Sequence, residues 1–286
     1  YKVVGASVNG CVNTATALLS TWPLPSPSLS VKPGTVACAN SQFSLTGEGG
    51  LWYFWAGPNS FNGSGENVSF TAPGAGSSGI YTLTAGNIHD CVAQTTIKLS
   101  VFDLPRGTLS GDLQNCVPFC GAYLFKGNPG SAPVTGLNWQ VAGKDFAGST
   151  FSCCFNIPGQ YTVSGSLLDT NGCASTMKQV IDAWPKPVAD FSFSPQNPIE
   201  SFDEVKFVST GKGENISKWS WYFYSGSTNN TTYQSGKNAS YLFNTAGIYP
   251  IALVIKTEEG CLDSVVKTIT VDEDFALYVP NAFTPN

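Results

Sequence analysis

Two stretches of the chain decide the fold: Gly247-Ile248-Tyr249-Pro250-Ile251-Ala252-Leu253-Val254-Ile255-Lys256-Thr257 and, after Glu258-Glu259-Gly260, Cys261-Leu262-Asp263-Ser264-Val265-Val266-Lys267-Thr268-Ile269-Thr270-Val271. Side chains alternate across a strand, so Tyr249, Ile251, Leu253 and Ile255 share one face. Val265, Ile269 and Val271 share a face of the second run, with a charged Lys267 among them. The pair reads as two antiparallel strands joined by a turn, the closing hairpin of a β-sandwich.

The same signal recurs up the chain. A turn, a cysteine, about eight alternating residues and a proline-containing link occur at Cys11, Cys91 and Cys173, and again without the proline at Cys261. Ahead of three of these cysteines stands a Gly-x-Tyr: Gly79-Ile80-Tyr81, Gly159-Gln160-Tyr161 and Gly247-Ile248-Tyr249. Intervals of 80, 82 and 88 residues each suit one small sandwich. Tyr1-Lys2-Val3-Val4 then falls late in a repeat. The expected organisation is the last strands of an incomplete sandwich domain over 1–25, full sandwich domains over 26–104, 105–186 and 187–273, and the start of a further module over 274–286. The links Trp22-Pro23-Leu24-Pro25-Ser26-Pro27 and Trp184-Pro185-Lys186-Pro187 favour stiff, extended connections, so the fold class expected is all-β, with sandwiches arranged end to end.

Composition agrees. Thirty Gly, 18 Pro and 13% aromatic residues beside a single Met suit short strands and many turns. Only 12% of residues are charged and the net charge is −5, so the basic footprint that nucleic-acid binding requires is absent. No glycine-rich phosphate loop leads from a strand into a helical pattern. Nine cysteines without CxxC pairs point to an oxidising compartment rather than structural zinc. No apolar run reaches the roughly 18 residues of a transmembrane helix, and the N-terminus lacks the features of a signal peptide. A processed or truncated piece of a longer exported protein is therefore expected.

Trp219-Ser220-Trp221-Tyr222-Phe223 with Tyr241-Leu242-Phe243-Asn244-Thr245-Ala246-Gly247-Ile248-Tyr249 resembles the PKD domain, an immunoglobulin-like sandwich with the pattern WDFGDG followed by YxFxxxGxYxVxLxV. Tyr224, Ser225 and Gly226 stand where that family has an acidic turn. Asn115-Cys116-Val117-Pro118-Phe119-Cys120 and Cys153-Cys154-Phe155 are similar to cysteine-bearing PKD variants of Bacteroidota surface proteins. Cys38, the Trp55-Ala56-Gly57-Pro58-Asn59 run and Cys91 resemble the Ig-like repeats found beside them. Tyr278-Val279-Pro280-Asn281-Ala282-Phe283-Thr284-Pro285-Asn286 looks like the opening of the gliding-motility-associated C-terminal module. That resemblance implies export by type IX secretion and a very large, extracellular protein of the bacterial cell surface or a filament.

A bridge from an early strand to the last hairpin would offset the small core of an ~80-residue sandwich by roughly 2 to 4 kcal/mol. The expected disulfides are Cys38–Cys91, Cys116–Cys173, and Cys120 with either Cys154 or Cys153, which point to opposite faces of one strand. Cys11 is expected to have its partner in the part of its unit preceding Tyr1. For Cys261 an interchain bridge and a free thiol stay open.

Catalysis needs clustered titratable groups, and the sequence supplies none, so no catalytic, cofactor-binding or metal residue is named. His89 is the single histidine and reads as a turn residue. Asp90, Asp112, Asp169, Asp203 and Asp263 fall near strand ends and suit turns, with calcium at a junction as the one cofactor left open. Of Trp52, Tyr53, Phe54 and Trp55, alternation buries two and leaves two outside, where a sugar platform would need them. Asp263-Ser264-Val265 resembles a Bacteroidota O-glycan acceptor, making Ser264 a candidate.

The function expected is a non-enzymatic structural or adhesive repeat region. Its partners would be neighbouring domains of the same chain, identical subunits in lengthwise contact within a filament, or a surface polysaccharide. An array of carbohydrate-binding modules and a spacer of a secreted hydrolase are the alternatives.

Overall fold

The structure is a computed structural model that describes residues 1–128, 132–224 and 231–274. It is an all-β fold, and the residues clustered as 1–107, 127–136 and 166–175 form one compact unit, the remainder a second.

In the first unit, β1 (Lys2–Ala6) and β2 (Val12–Thr16) pair as an isolated antiparallel hairpin whose residues are exposed throughout. A sandwich follows. One sheet orders β3 (Ser28–Lys32), β5 (Gln42–Glu48) and β8 (Asn67–Thr71). The other orders β4 (Val36–Cys38), β10 (Val92–Phe102), β9 (Gly79–Gly86), β6 (Trp52–Ala56) and β7 (Asn62–Ser64). Phe43 and Leu45 from the first sheet meet Trp55, Tyr81, Leu83, Leu99 and Val101 from the second. At roughly 1.5 to 3 kcal/mol for each large apolar side chain buried, this layer is what holds the sheets together.

A second pair of sheets orders β11 (Gly107–Gly111), β13 (Phe119–Gly127) and β16 (Thr150–Phe155), and β12 (Gln114–Cys116), β18 (Ala174–Trp184), β17 (Gly159–Asp169), β14 (Val134–Val141) and β15 (Lys144–Ala147). Its aromatic core within the second unit packs Phe125, Trp139 and Phe151 ring to ring.

The third pair lies wholly in the second unit. It orders β19 (Phe191–Ser194), β20 (Glu204–Ser209) and β23 (Asn238–Leu242) against β22 (Thr231–Ser235), β21 (Ile216–Tyr224), β24 (Gly247–Thr257) and β25 (Leu262–Val271). β24 and β25 pair from Gly247↔Val271 to Lys256↔Leu262, the hairpin that the alternation predicts. Ile251, Leu253, Ile255, Ile269 and Val271 are buried together with Phe191, Phe207 and Trp221. Lys267 sits half-buried on that inner face because its ammonium reaches the Asp190 carboxylate at 2.7 Å and donates to the Phe191 carbonyl at 2.5 Å.

Three local devices recur. Trp55, Trp139 and Trp221 are buried, and each indole N–H donates to the carbonyl of a glycine with positive φ: Gly65, Gly148 and Gly236, at 3.0, 2.9 and 2.9 Å. Tyr81, Tyr161 and Tyr249 each donate a hydroxyl to the carbonyl four residues back, on Ser77, Ile157 and Thr245. This is the corner that immunoglobulin-like sandwiches use to pin a strand entry. The Gly-x-Tyr signal exists because Gly79, Gly159 and Gly247 enter their strands at φ near 150°, which side-chain-bearing residues avoid.

Candidate functional site

The four hairpin turns are one turn repeated. In each, the residue three before the cysteine's predecessor accepts a backbone bond from that predecessor: Ser7 from Gly10, Asn87 from Asp90, Asp169 from Gly172, Thr257 from Gly260, at 3.0 to 3.2 Å. Gly10, Asp90, Gly172 and Gly260 all have positive φ, as a type I turn closed by a left-handed residue requires. The cysteine N–H then bonds the side chain of the same residue: Ser7 Oγ, Asn87 Oδ1, Asp169 Oδ1 and Thr257 Oγ1. Sequence reading missed this capping position. Its signal was a short polar oxygen-bearing residue four before each of the four turn cysteines, Ser7, Asn87, Asp169 and Thr257, which is the residue type able to fold back on its own turn.

The opposite cysteines sit on a second repeated feature. β4 and β12 are short strands lying parallel to the end of the closing hairpin, with Cys38 opposite Phe102 and Cys116 opposite Trp184. Ile199 holds that place in the third sandwich, in a parallel bridge with Asp272.

The bridges join these positions differently from the sequence expectation. Cys38 bonds Cys173, not Cys91, with Cα atoms 5.6 Å apart; Cys116 bonds Cys261, not Cys173, at 5.7 Å. The correction has a geometric cause. The short early strand runs beside the far end of its own closing strand: Cys38 opposes Phe102, eleven residues beyond Cys91, roughly 35 Å of extended strand away from it. The same holds for Cys116, which opposes Trp184 rather than the turn at Cys173. Each bridge therefore leaves its own sandwich and closes on the hairpin turn of the following one. Cys261 is accordingly neither a free thiol nor an interchain partner.

Cys120 bonds Cys154, its direct cross-strand neighbour on the exposed face of β13 and β16, at a Cα separation of 3.9 Å. Cys153 points inward, buried and free. Cys11 is free and exposed, and Cys91 is free and half-buried. Cys91 thus occupies the turn position that is bonded in Cys173 and Cys261.

Backbone and side-chain contacts reinforce the same places. Ser175, two after Cys173, donates to the Pro105 carbonyl at 2.5 Å. Asp263, two after Cys261, accepts the Ala189 N–H at 2.7 Å and faces Lys186 at 3.8 Å. Glu259 accepts from the Asn215 amide, and that bond holds its carboxyl below the usual range. At the first turn His89 stacks on Trp22 with ring centroids 3.8 Å apart, while Asn87 donates to the Pro23 carbonyl.

Other candidates fall out as follows. Asp169 and Asp263 cap backbone N–H groups, and Asp203 does the same for Ile199. Asp90 is the left-handed turn residue, and the Asp112 carbonyl receives the Tyr123 hydroxyl. Among the described residues no three His, Cys, Asp or Glu side chains stand together as a metal site. Trp55 is buried and Tyr53 half-buried, while Trp52 and Phe54 face outward. The Trp52 ring lies against its own sheet over Gly86, where an added Cβ would meet it at 2.1 Å. Ser264 is exposed on β25, opposite Val254. Ser225 and Gly226 of the altered acidic turn, and Tyr278–Asn286, lie outside the described residues. No described helix is long and apolar enough to cross a membrane.

No curated protein matches the chain. Among solved structures, one on host cell-surface retention of a 1.5-MDa bacterial ice-binding adhesin aligns over 90% of this chain and 100% of that one, at 13% identity and TM-score 0.41. A Ca2+-stabilised adhesin with which an Antarctic bacterium binds ice aligns over 96% and 81%, at 11% and 0.39. Fibronectin(III)-like modules of Clostridium thermocellum CbhA align over 60% and 100%, at 10% and 0.35. These likenesses are too distant to bear on function. The family model of the PKD domain matches residues 184–272, the stretch that carries Trp221, the Tyr249 corner and the Cys261 turn.

Proposed function

We propose that the chain is a non-enzymatic, extracellular structural repeat region of a large bacterial cell-surface or filament protein, and that its work is to hold successive sandwiches in covalent register. The observation that carries this reading is the pair of bridges from early strand to following turn, Cys38–Cys173 and Cys116–Cys261. Such bonds persist in an oxidising space and do not survive a reducing cytosol. The PKD match supports the same reading, and the VPNAFTPN ending supports type IX secretion as the route.

On this reading 1–25 closes a sandwich whose earlier strands lie upstream, followed by units over 26–104, 105–186 and 187–273 and a module from 274. Cys91 is then the turn cysteine for a bridge from that upstream unit. Cys38 precedes Cys91 by 53 residues and Cys116 precedes Cys173 by 57, so the partner of Cys91 is a cysteine about that far before Cys11.

The test is alkylation of the protein from its native cells under denaturing, non-reducing conditions, with peptide mapping and a surface-impermeant label on intact cells. The six bridged cysteines should resist alkylation, Cys91 should map to an upstream cysteine, and the label should reach the chain. Fully alkylated cysteines in a protein sealed from the label would overturn the reading, and an alkylated Cys91 alone would overturn its assignment. Loss of type IX secretion should leave the protein inside the cell.

A further inference from the structure

We infer that the bridges make this chain a covalent limiter of extension, able to stay short under a pulling force that unfolds its sandwiches. The inference rests on the reading of the chain as a structural repeat region, and it follows from how the bonds interlace. Cys38–Cys173 and Cys116–Cys261 overlap in sequence, since Cys116 lies between Cys38 and Cys173 and Cys173 lies between Cys116 and Cys261.

Bonding Cys38 to Cys173 makes them one knot, and bonding Cys116 to Cys261 makes a second. Three stretches of backbone then connect the same two knots: Cys38 to Cys116, Cys116 to Cys173, and Cys173 to Cys261, which are 78, 57 and 88 residues long. Stretches in parallel share one end-to-end distance, so the shortest sets the limit. Cys120–Cys154 shortens that one further by cutting out the 34 residue steps between its cysteines, leaving 23. Its exposed place on β13 and β16, where it joins neighbours already paired, adds little local order; its effect on path length is large.

The extended chain spans at most about 3.5 Å per residue, so the knots can separate by only ~80 Å, where the 223 residues between Cys38 and Cys261 would otherwise reach ~780 Å. Once the short path is taut, residues 39–115 and 174–260 are slack. These contain β5 to β11 and β18 to β24, with Trp55 and Trp221. Load reaches the taut path itself, which holds β17 between Cys154 and Cys173, and the outer pieces, β1 to β4 up to Cys38 and β25 after Cys261. A sandwich opened by force thereby keeps most of its strands within the reach that the bridges set and can close again when the force drops.

The experiment is optical-tweezers stretching of the 286-residue chain between its two termini, oxidised and then with reductant present. Full extension depends on covalent path alone, so a variant that folds poorly still reports. The expected lengths are about 300 Å for the oxidised chain and about 1000 Å for the reduced one. Cys120→Ser should reach about 420 Å and Cys116→Ser about 520 Å. An oxidised chain that extends past ~500 Å, or a Cys116→Ser chain no longer than the oxidised parent, overturns the inference. Export and surface labelling are read separately, so the limiter can fail while the structural reading stands, and the reverse.

Discussion

The turns at Cys91 and Cys261 are the same object with different fates. In both, a short polar side chain four residues back accepts the cysteine N–H, and a left-handed residue precedes the cysteine. Yet Cys261 is bonded and buried, while Cys91 is free and half-buried. The turn is set by local sequence, and the bond is set by what the neighbouring sandwich presents.

That contrast is broken most forcefully at the bond. Cys261→Ser opens a bridge between residues 145 apart, and loop-closure entropy puts its loss at about 4 to 5 kcal/mol of resistance to denaturant in the third sandwich. Cys91→Ser should change stability by less than about 0.5 kcal/mol, because the 286-residue chain loses no bond there. Urea titrations of the two variants, followed by Trp fluorescence, measure the difference. Equal effects would show that the bridge adds nothing beyond the turn. Thiol labelling of the folded chain sharpens the point: Cys11 and Cys91 should react with maleimide at once, and Cys153 only after unfolding, since it is buried.

The capping side chain is the next test. Asp169 is buried and its Oδ1 accepts the N–H groups of both Asn171 and Cys173, so Asp169→Ala leaves two donors unpaired and should cost about 1 to 3 kcal/mol. Its other oxygen, Oδ2, is buried without a partner. Asp169→Asn keeps the accepting oxygen and removes a buried charge, and Asn87 does the same task in the first sandwich, so that substitution should be close to neutral. Unfolding midpoints of the two variants distinguish a cap from a charge requirement.

How much of this was legible in the sequence follows from range. Strand faces, the Cys261 hairpin and the Gly-x-Tyr entries could be read, because alternation and turn chemistry act within a dozen residues. Lys267 on the inner face was visible as an anomaly, but its partner Asp190 lies 77 residues away and no local pattern names it. Cysteine pairing failed for the same reason. Stapling each small core to itself predicts Cys38–Cys91 and Cys116–Cys173, whereas β4 and β12 present their cysteines at the far end of the closing strand, away from the sandwich's own turn. The strongest unread signal was the absence of an early cysteine from the third repeat, where Ile199 stands: one repeat with a turn cysteine and no early one implies that bridges step between repeats.

The tyrosine corners give a smaller effect, graded by burial. Tyr81→Phe removes a buried hydroxyl that donates to Ser77, and Tyr161→Phe an exposed one that donates to Ile157. The first should cost about 1 kcal/mol and the second less, since water replaces the exposed bond more readily. Chemical denaturation of each variant checks the order.

Alkaline pH gives the gentlest probe, because it changes one proton rather than a side chain. Tyr123 is buried with its hydroxyl on the Asp112 carbonyl, and burial, with the nearby Asp112 and Cys153, pushes its pKa up to about 12. The folded state therefore keeps a proton that the unfolded chain gives up near pH 10. Stability from this group is whole below pH 10 and is lost as pH rises through about 12, the direction in which the unfolded state binds fewer protons. Tyr81, raised by burial alone, titrates in the same sense in the first sandwich. The second sandwich should accordingly soften under alkali over this window, and Tyr123→Phe should flatten its pH dependence while lowering its stability at neutral pH through the lost hydrogen bond. Ultraviolet titration at 295 nm, compared with unfolding midpoints across the same range, reads both. A Tyr123 that ionises at pH 10 in the folded chain would place its ring in water and undo the packing of Phe151 against it.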